Sequence, residues 1–139
     1  MEQELFSKAL SLAAQWHTGQ TRKDDITPYI YHPIAVARVV KDAGYDLRYQ
    51  TVAILHDVLE DTACDESEIA SLGNDILEAV KLLTRGKDAD EEEYVEAILK
   101  NPMAAVVKNA DKICNLWDAM YNGIPGESRS EKAKSFAEN

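Results

Sequence analysis

Apolar residues recur at three- and four-residue spacing along nearly the whole chain, and strict apolar–polar alternation is almost absent. That period belongs to helices packed on a common core and leaves little material for a sheet. Leu5, Ala9, Leu12, Ala13 and Trp16 set the first stripe, and Gly19 ends it. A polar loop, Thr18 to Tyr31, follows. Pro33 is placed to open a second helix carrying Ile34, Val36, Ala37, Val39 and Val40, with Gly44 as its stop. Arg48 to about Asp61 reads as one continuous third helix. Asp65 or Ser67 caps a short fourth before Gly73. Asn74 is a candidate cap for a fifth, to about Thr84. Arg85-Gly86-Lys87-Asp88 reads as a break, and Asp90 to Lys100 as a sixth helix, acidic at its N-terminal end. Asn101-Pro102 starts a seventh that runs to about Tyr121. Past the breaker Asn122-Gly123-Ile124-Pro125-Gly126, Ser128 and Glu131 form a capping box for an eighth, cut short at Asn139. The expectation is an all-α fold of seven to eight helices in one domain, residues 1–139, with a truncated last helix.

With 25 acidic against 15 basic residues the chain carries a formal charge of −10. This speaks against nucleic acid or an anionic membrane as partner, since both select basic faces. A small anionic substrate stays compatible if a metal or a local basic cluster reverses the sign at the site. No apolar run approaches the roughly 20 residues that span a bilayer. Cys64 and Cys114 fit no metal-binding or disulfide framework, so two free thiols in a reducing cytoplasm are expected. A homo-oligomer stays open.

Chemistry concentrates in three places. In Ile54-Leu55-His56-Asp57-Val58-Leu59-Glu60-Asp61, the i,i+4 pairs His56/Glu60 and Asp57/Asp61 put four ionisable groups on one face of an apolar helix. Three of them are carboxylates, whose repulsion in a partly buried site a divalent cation would relieve. A solvated acidic helix end is the plainer alternative, although it opposes the helix dipole. In the seventh helix Lys108, Asp111 and Asn115 form a polar row in apolar surroundings. An aspartate there needs a partner, and either Lys108 or a metal would serve. His32, before Pro33, is on its own more often structural than a ligand, and His17 is equally ambiguous. Jointly, His32, His56, Asp57 and Asp111 make a two-histidine, two-carboxylate set from three helices, suited to Mn, Fe or Zn with positions left for water. No glycine-rich phosphate loop or GxSxG elbow competes.

The order His, His-Asp, Asp on helices resembles the HD-domain metal-dependent phosphohydrolases. The stretches 17–24, 27–33, 56–62 and 108–116 are similar to the hydrolase domain of RelA/SpoT proteins, and most to the small alarmone hydrolases. The resemblance implies Mn²⁺ held by His32, His56, Asp57 and Asp111, with Glu60 and Asp61 positioning and activating the attacking water. It implies Arg22 against a guanine base, Lys23 near a phosphate and Asn115 on the ribose or its phosphate. The implied reaction removes pyrophosphate from the 3′ position of ppGpp or pppGpp. Removal of the NADPH 2′-phosphate or attack on another nucleotide is the alternative within the same chemistry. A non-catalytic nucleotide- or partner-binding module is the alternative outside it.

Overall fold

The computed structural model describes residues 2–85 and 90–123. These residues form an all-α fold: α1 (Glu2–Trp16), α2 (Tyr31–Asp42), α3 (Leu47–Leu55), α4 (Val58–Asp61), α5 (Glu66–Ala70), α6 (Asn74–Leu83), α7 (Glu91–Leu99) and α8 (Pro102–Trp117), with a closing π turn at Asp118–Asn122. Most of the expected break at 85–88 and the expected eighth helix lie outside the described residues. No helix among the described residues is long and apolar enough to cross a membrane.

The core is built around α3. Every residue from Gln50 to Leu55 is buried, on all sides of the helix, because α1, α2, α6 and α8 pack around it. A helix enclosed in this way needs no polar face. Its two polar residues are satisfied locally: Thr51 Oγ1 donates to the Leu47 carbonyl at 2.7 Å, and Gln50 Nε2 to the Tyr45 carbonyl at 3.0 Å. α2 contributes Val36, Ala37 and Val40, α6 contributes Ile76, Ala79, Val80 and Leu83, and α8 contributes Ala104, Val107, Ala110 and Cys114.

Several starts follow the expected capping chemistry. Asp65 accepts from Ser67 N–H, Asp90 from Glu92 N–H and Asn101 from Ala104 N–H. Others differ. The cap of α6 is Gly73, at φ 144°, and Asn74 is the first helical residue. An added Cβ at Gly73 would lie 2.9 Å from an Asp75 carboxylate oxygen, so both the backbone and the neighbour select glycine. α2 begins at Tyr31 rather than at Pro33, because Tyr31 N–H and His32 N–H already bond back to the Pro28 and Tyr29 carbonyls. Pro33 is then the third helical residue, still among the first four whose N–H has no partner inside a helix.

The third helix is not continuous. α3 stops at Leu55, His56 and Asp57 form a turn, and α4 restarts at Val58. The α-helix of the C-terminal element ends at Trp117 and widens into the π turn at Asp118, and Gly123, left-handed at φ 68°, closes it.

If α3 is the enclosed centre, truncating it is costly and removing a surface cap is not. Ile54→Ala is expected to lose about 2–5 kcal/mol of unfolding free energy, against about 1 kcal/mol for Asn101→Ala. Urea denaturation of the two variants measures the contrast.

Candidate metal centre and active site

The break between α3 and α4 is where the site is made. Adjacent residues of a regular helix point about 100° apart and cannot share a ligand. At the break Asp57 takes φ −104°, ψ −2°, the sparsely allowed bridge region often occupied in active sites. His56 Nε2 and Asp57 Oδ2 thereby come within 3.0 Å of each other. At the break the Ala53 carbonyl accepts twice from His56, its backbone N–H at 3.4 Å and its ring Nδ1–H at 2.7 Å. That bond turns Nε2 toward the centre.

α2 and α8 bring the other two groups. His32 Nε2 lies 2.7 Å from Asp111 Oδ1, and His56 Nε2 lies 3.3 Å from the same oxygen. His32 Nε2 is also 3.8 Å from Asp57 Oδ2. Ligand atoms of His32, His56 and Asp57 fall within 4.8 Å of one another. All four residues expected as ligands therefore converge, Asp111 through an oxygen that touches both imidazoles. Burial alone would raise both carboxyls and lower the His56 imidazole, but mutual attraction wins. Burial opposes, and His56 overcomes, to put Asp57 down to about 2. Asp111 is held well below the usual carboxylate range by His32 and His56 against its burial. His56 is raised well above its ordinary value by Asp57 and Asp111, again against burial. The pocket is thus shaped to enclose positive charge. His56 Nε2 is buried without a well-aligned hydrogen-bond partner. An inward imidazole nitrogen lacking its own partner, beside two ionised carboxylates, fits a divalent transition-metal ion. Asp111 faces two sides: Oδ1 meets the imidazoles, and Oδ2 lies 3.9 Å from Lys108 Nζ.

Glu60 and Asp61 stand at the open mouth, and different segments hold them. Glu60 Oε1 accepts the backbone N–H of Arg85 at 2.8 Å. Partial burial and the charge of Asp57 raise its pKa. Asp61 is pushed up to about 7, by partial burial first and then by Asp57 and Glu60. Tyr29, buried, sends its hydroxyl to Asp57 Oδ2 at 2.6 Å and lies 3.2 Å from Asp61 Oδ2. Gln20 Nε2 donates to the Asp61 carbonyl at 2.8 Å. Tyr29, Gln20, Arg85 and Asp118 had no assigned role in the sequence reading of the site. Tyr29 and Gln20 stand inside the quoted stretches, but their contacts span 32 and 41 positions from an irregular loop that has no periodicity to read.

Arg22, which the resemblance puts against a guanine base, is only 3% exposed, with Nη1 2.9 Å from Asp118 Oδ2 and Nη2 3.4 Å from Asn115 Oδ1. Asn115 Nδ2 in turn lies 3.4 Å from Asp111 Oδ1. Arg22 is therefore a strut from the 18–31 loop to the end of α8, and Asn115 connects that strut to the metal centre. Lys23 next to it is exposed.

The HD domain profile matches residues 9–137. Human guanosine-3′,5′-bis(diphosphate) 3′-pyrophosphohydrolase MESH1 is 39% identical over 121 residues, covering 80% of this chain and 67% of that protein. The Xenopus tropicalis protein of that name is 36% identical, covering 82% and 69%. A GTP pyrophosphokinase of Streptomyces coelicolor is 32% identical over 94% of this chain, which spans only 16% of that protein. Among solved structures, a metazoan orthologue of SpoT, described as hydrolysing ppGpp and acting in starvation responses, superposes with a TM-score of 0.76 at 30% identity, over 95% of this chain and 79% of its own. The chain belongs to the HD-domain family.

The strut makes a prediction opposite to that for a surface arginine. Arg22→Ala removes a charge-assisted hydrogen bond from the partly buried Asp118 carboxylate and should cost about 1.5–3 kcal/mol in urea denaturation. An open loop residue would stay within about 0.5 kcal/mol.

Proposed function

We propose that this chain is a divalent-metal-dependent phosphohydrolase that removes pyrophosphate from the 3′ position of ppGpp and pppGpp. The observation that carries the reading is the convergence of His32, His56, Asp57 and Asp111 on one point, with Glu60 and Asp61 beside it. The name carried by the MESH1 relatives, at 36–39% identity, supports the substrate. Mn²⁺ is the ion favoured here, since imidazole with carboxylate suits it and the resemblance points to it. When bound, such an ion supplies Lewis-acid stabilisation of phosphoryl charge and makes water more acidic.

The chain's own groups then divide the work. Glu60 uses one oxygen to accept Arg85 N–H, which fixes its direction. Its other oxygen is available to orient the attacking water and take its proton. Water attacks the phosphorus attached to the 3′ oxygen, the bond between them breaks, and pyrophosphate departs. The 3′ oxygen leaves as a hydroxyl and needs a proton. Asp61, with a pKa of about 7, can hold that proton at neutral pH. Lys23 contributes positive charge toward a phosphate. Asn115, set by Arg22, faces the ribose or its phosphate, so Arg22 acts through Asn115 rather than as an open stacking plane.

Two outcomes test the reading. The protein should retain one Mn²⁺ per chain after gel filtration, by elemental analysis, and His56→Ala or Asp111→Ala should lose it. Retention by both variants would remove the assigned ligand set. Second, the Mn²⁺-loaded protein should convert ppGpp to GDP and pyrophosphate. Glu60→Gln should lower kcat about 100-fold or more, with metal content unchanged. Orthophosphate released from NADPH, with ppGpp untouched, would replace the proposed substrate.

A further inference from the structure

Position 61 has to be held from outside. α4 is four residues long, follows an interrupted hydrogen-bond ladder and has no internal cooperativity to fix its direction. Its C-terminal carbonyls lack helical partners. The Asp61 carbonyl finds one 41 positions earlier in the chain, at Gln20 Nε2, 2.8 Å away. Gln20 is itself oriented. Its Oε1 lies 2.7 Å from His17 Nδ1, and its backbone carbonyl accepts Tyr29 N–H at 2.8 Å. A reversed side-chain amide would set oxygen against the Asp61 carbonyl oxygen, so Nε2 must point to Asp61 and Oε1 to His17.

His17 is 2% exposed. Burial lowers its pKa below the ordinary histidine range, which keeps the ring neutral. With Gln20 Oε1 as an acceptor, the single ring hydrogen belongs on Nδ1. The ring packs against Tyr29 with centroids 4.9 Å apart, and the Tyr29 hydroxyl bridges Asp57 and Asp61. One compact unit thus grips Asp61 twice, at its carbonyl through Gln20 and at its carboxylate through Tyr29. The first grip has no evident use for metal binding, since neither Gln20 nor His17 touches a ligand side chain through a polar atom in the contacts above.

We propose that His17 and Gln20 form a positioning brace, which sets the Asp61 carboxylate for the chemical step by fixing the end of α4. The His17-Thr18-Gly19-Gln20 stretch, which the metal site and the nucleotide contacts leave without a function, then has one. Thr18 and Gly19 form the turn, with Gly19 at φ 85°, that returns Gln20 toward His17. This inference rests on the hydrolase reading of Asp61.

A kinetic cycle on the full-length Mn²⁺-loaded protein with ppGpp tests it. Gln20→Ala should lower kcat about tenfold, the range typical of losing an outer partner of a catalytic group. KM and the Mn²⁺ content should stay within about twofold. His17→Ala should do the same. His17→Asn, whose side-chain N–H can reach the Gln20 oxygen, should recover most of the loss. In an Asp61→Asn background, itself slowed, Gln20→Ala should cost nothing further, because the group being positioned is gone. A tenfold loss repeated in that background overturns the brace and leaves the hydrolase reading intact. So does a Gln20→Ala effect confined to KM, to metal content or to melting temperature. Full turnover by Asp61→Asn alone is a different result: it removes the role of Asp61, and the brace with it.

Discussion

Everything in the molecule accommodates one unfavourable demand, that two aspartates and two histidines meet at the centre of an apolar helical core. Each charged group pays a desolvation penalty of several kcal/mol. The cluster survives because each member offsets another. Asp111 touches both imidazoles, and Asp57 faces His56 at 3.0 Å. α3, the most enclosed helix, ends one residue before His56, and the Ala53 carbonyl there takes the His56 ring hydrogen as well as its backbone N–H, which orients that ring. The short α4 that follows could not stand alone, so the 17–29 loop and the end of α6 hold it from two sides.

How far this was legible in the sequence depends on the range of the interaction. Local signals were strong: the apolar stripes of α1 and α2, the Asn101 cap, and His32, His56, Asp57 and Asp111, whose pattern resembles a known one and whose side chains the structure brings together. The break at His56-Asp57 was not legible, because Val52, Leu55 and Leu59 keep helical spacing through it and no glycine or proline marks it. A tertiary requirement, bringing neighbouring side chains to one point, overrode local propensity there. The burial of Arg22 was not legible for a related reason. Its neighbours Lys23, Asp24 and Asp25 make the loop look solvated, whereas its partner Asp118 lies 96 positions away in a turn that periodicity reads as plain helix. The role expected of Asn115 came from the resemblance; its place in the polar row one turn beyond Asp111 came from helical spacing, and the structure keeps that relation, with 3.4 Å between the two side chains.

The loop from Thr18 to Tyr31 is rigid for its size. The Asp24 carboxylate accepts from the N–H groups of Ile26 and Thr27 and from the Thr27 hydroxyl, and Arg22 N–H bonds the Thr27 carbonyl. Asx bonding of this kind gives a short polar segment a fixed course without secondary structure. From that one loop Arg22 reaches α8, while Gln20 and Tyr29 reach α4. It therefore couples the two elements that carry Asp111 and Asp61. A site assembled from three helices is kept in register by a segment that belongs to none of them.

A formal charge of −10 looks hostile to the proposed polyphosphate substrate, yet charge at the site is partly compensated. Asp57 and Asp111 are turned inward onto imidazoles, and a bound divalent ion would add two positive charges between them. Asp61 is pushed up to about 7 by partial burial and by Asp57 and Glu60, and Glu60 is shifted in the same direction. The acidic first turns of α1 and α7 serve their own helix dipoles. Beyond about 8 Å at physiological salt such exposed charges are largely screened. Lys108, 3.9 Å from Asp111, stands within that range of the site, whereas the Arg85 guanidinium is paired with Glu91. The carboxyls of Glu60 and Asp61 are both raised by partial burial and by the charge of Asp57, so crowding at the site works against its own negative charge.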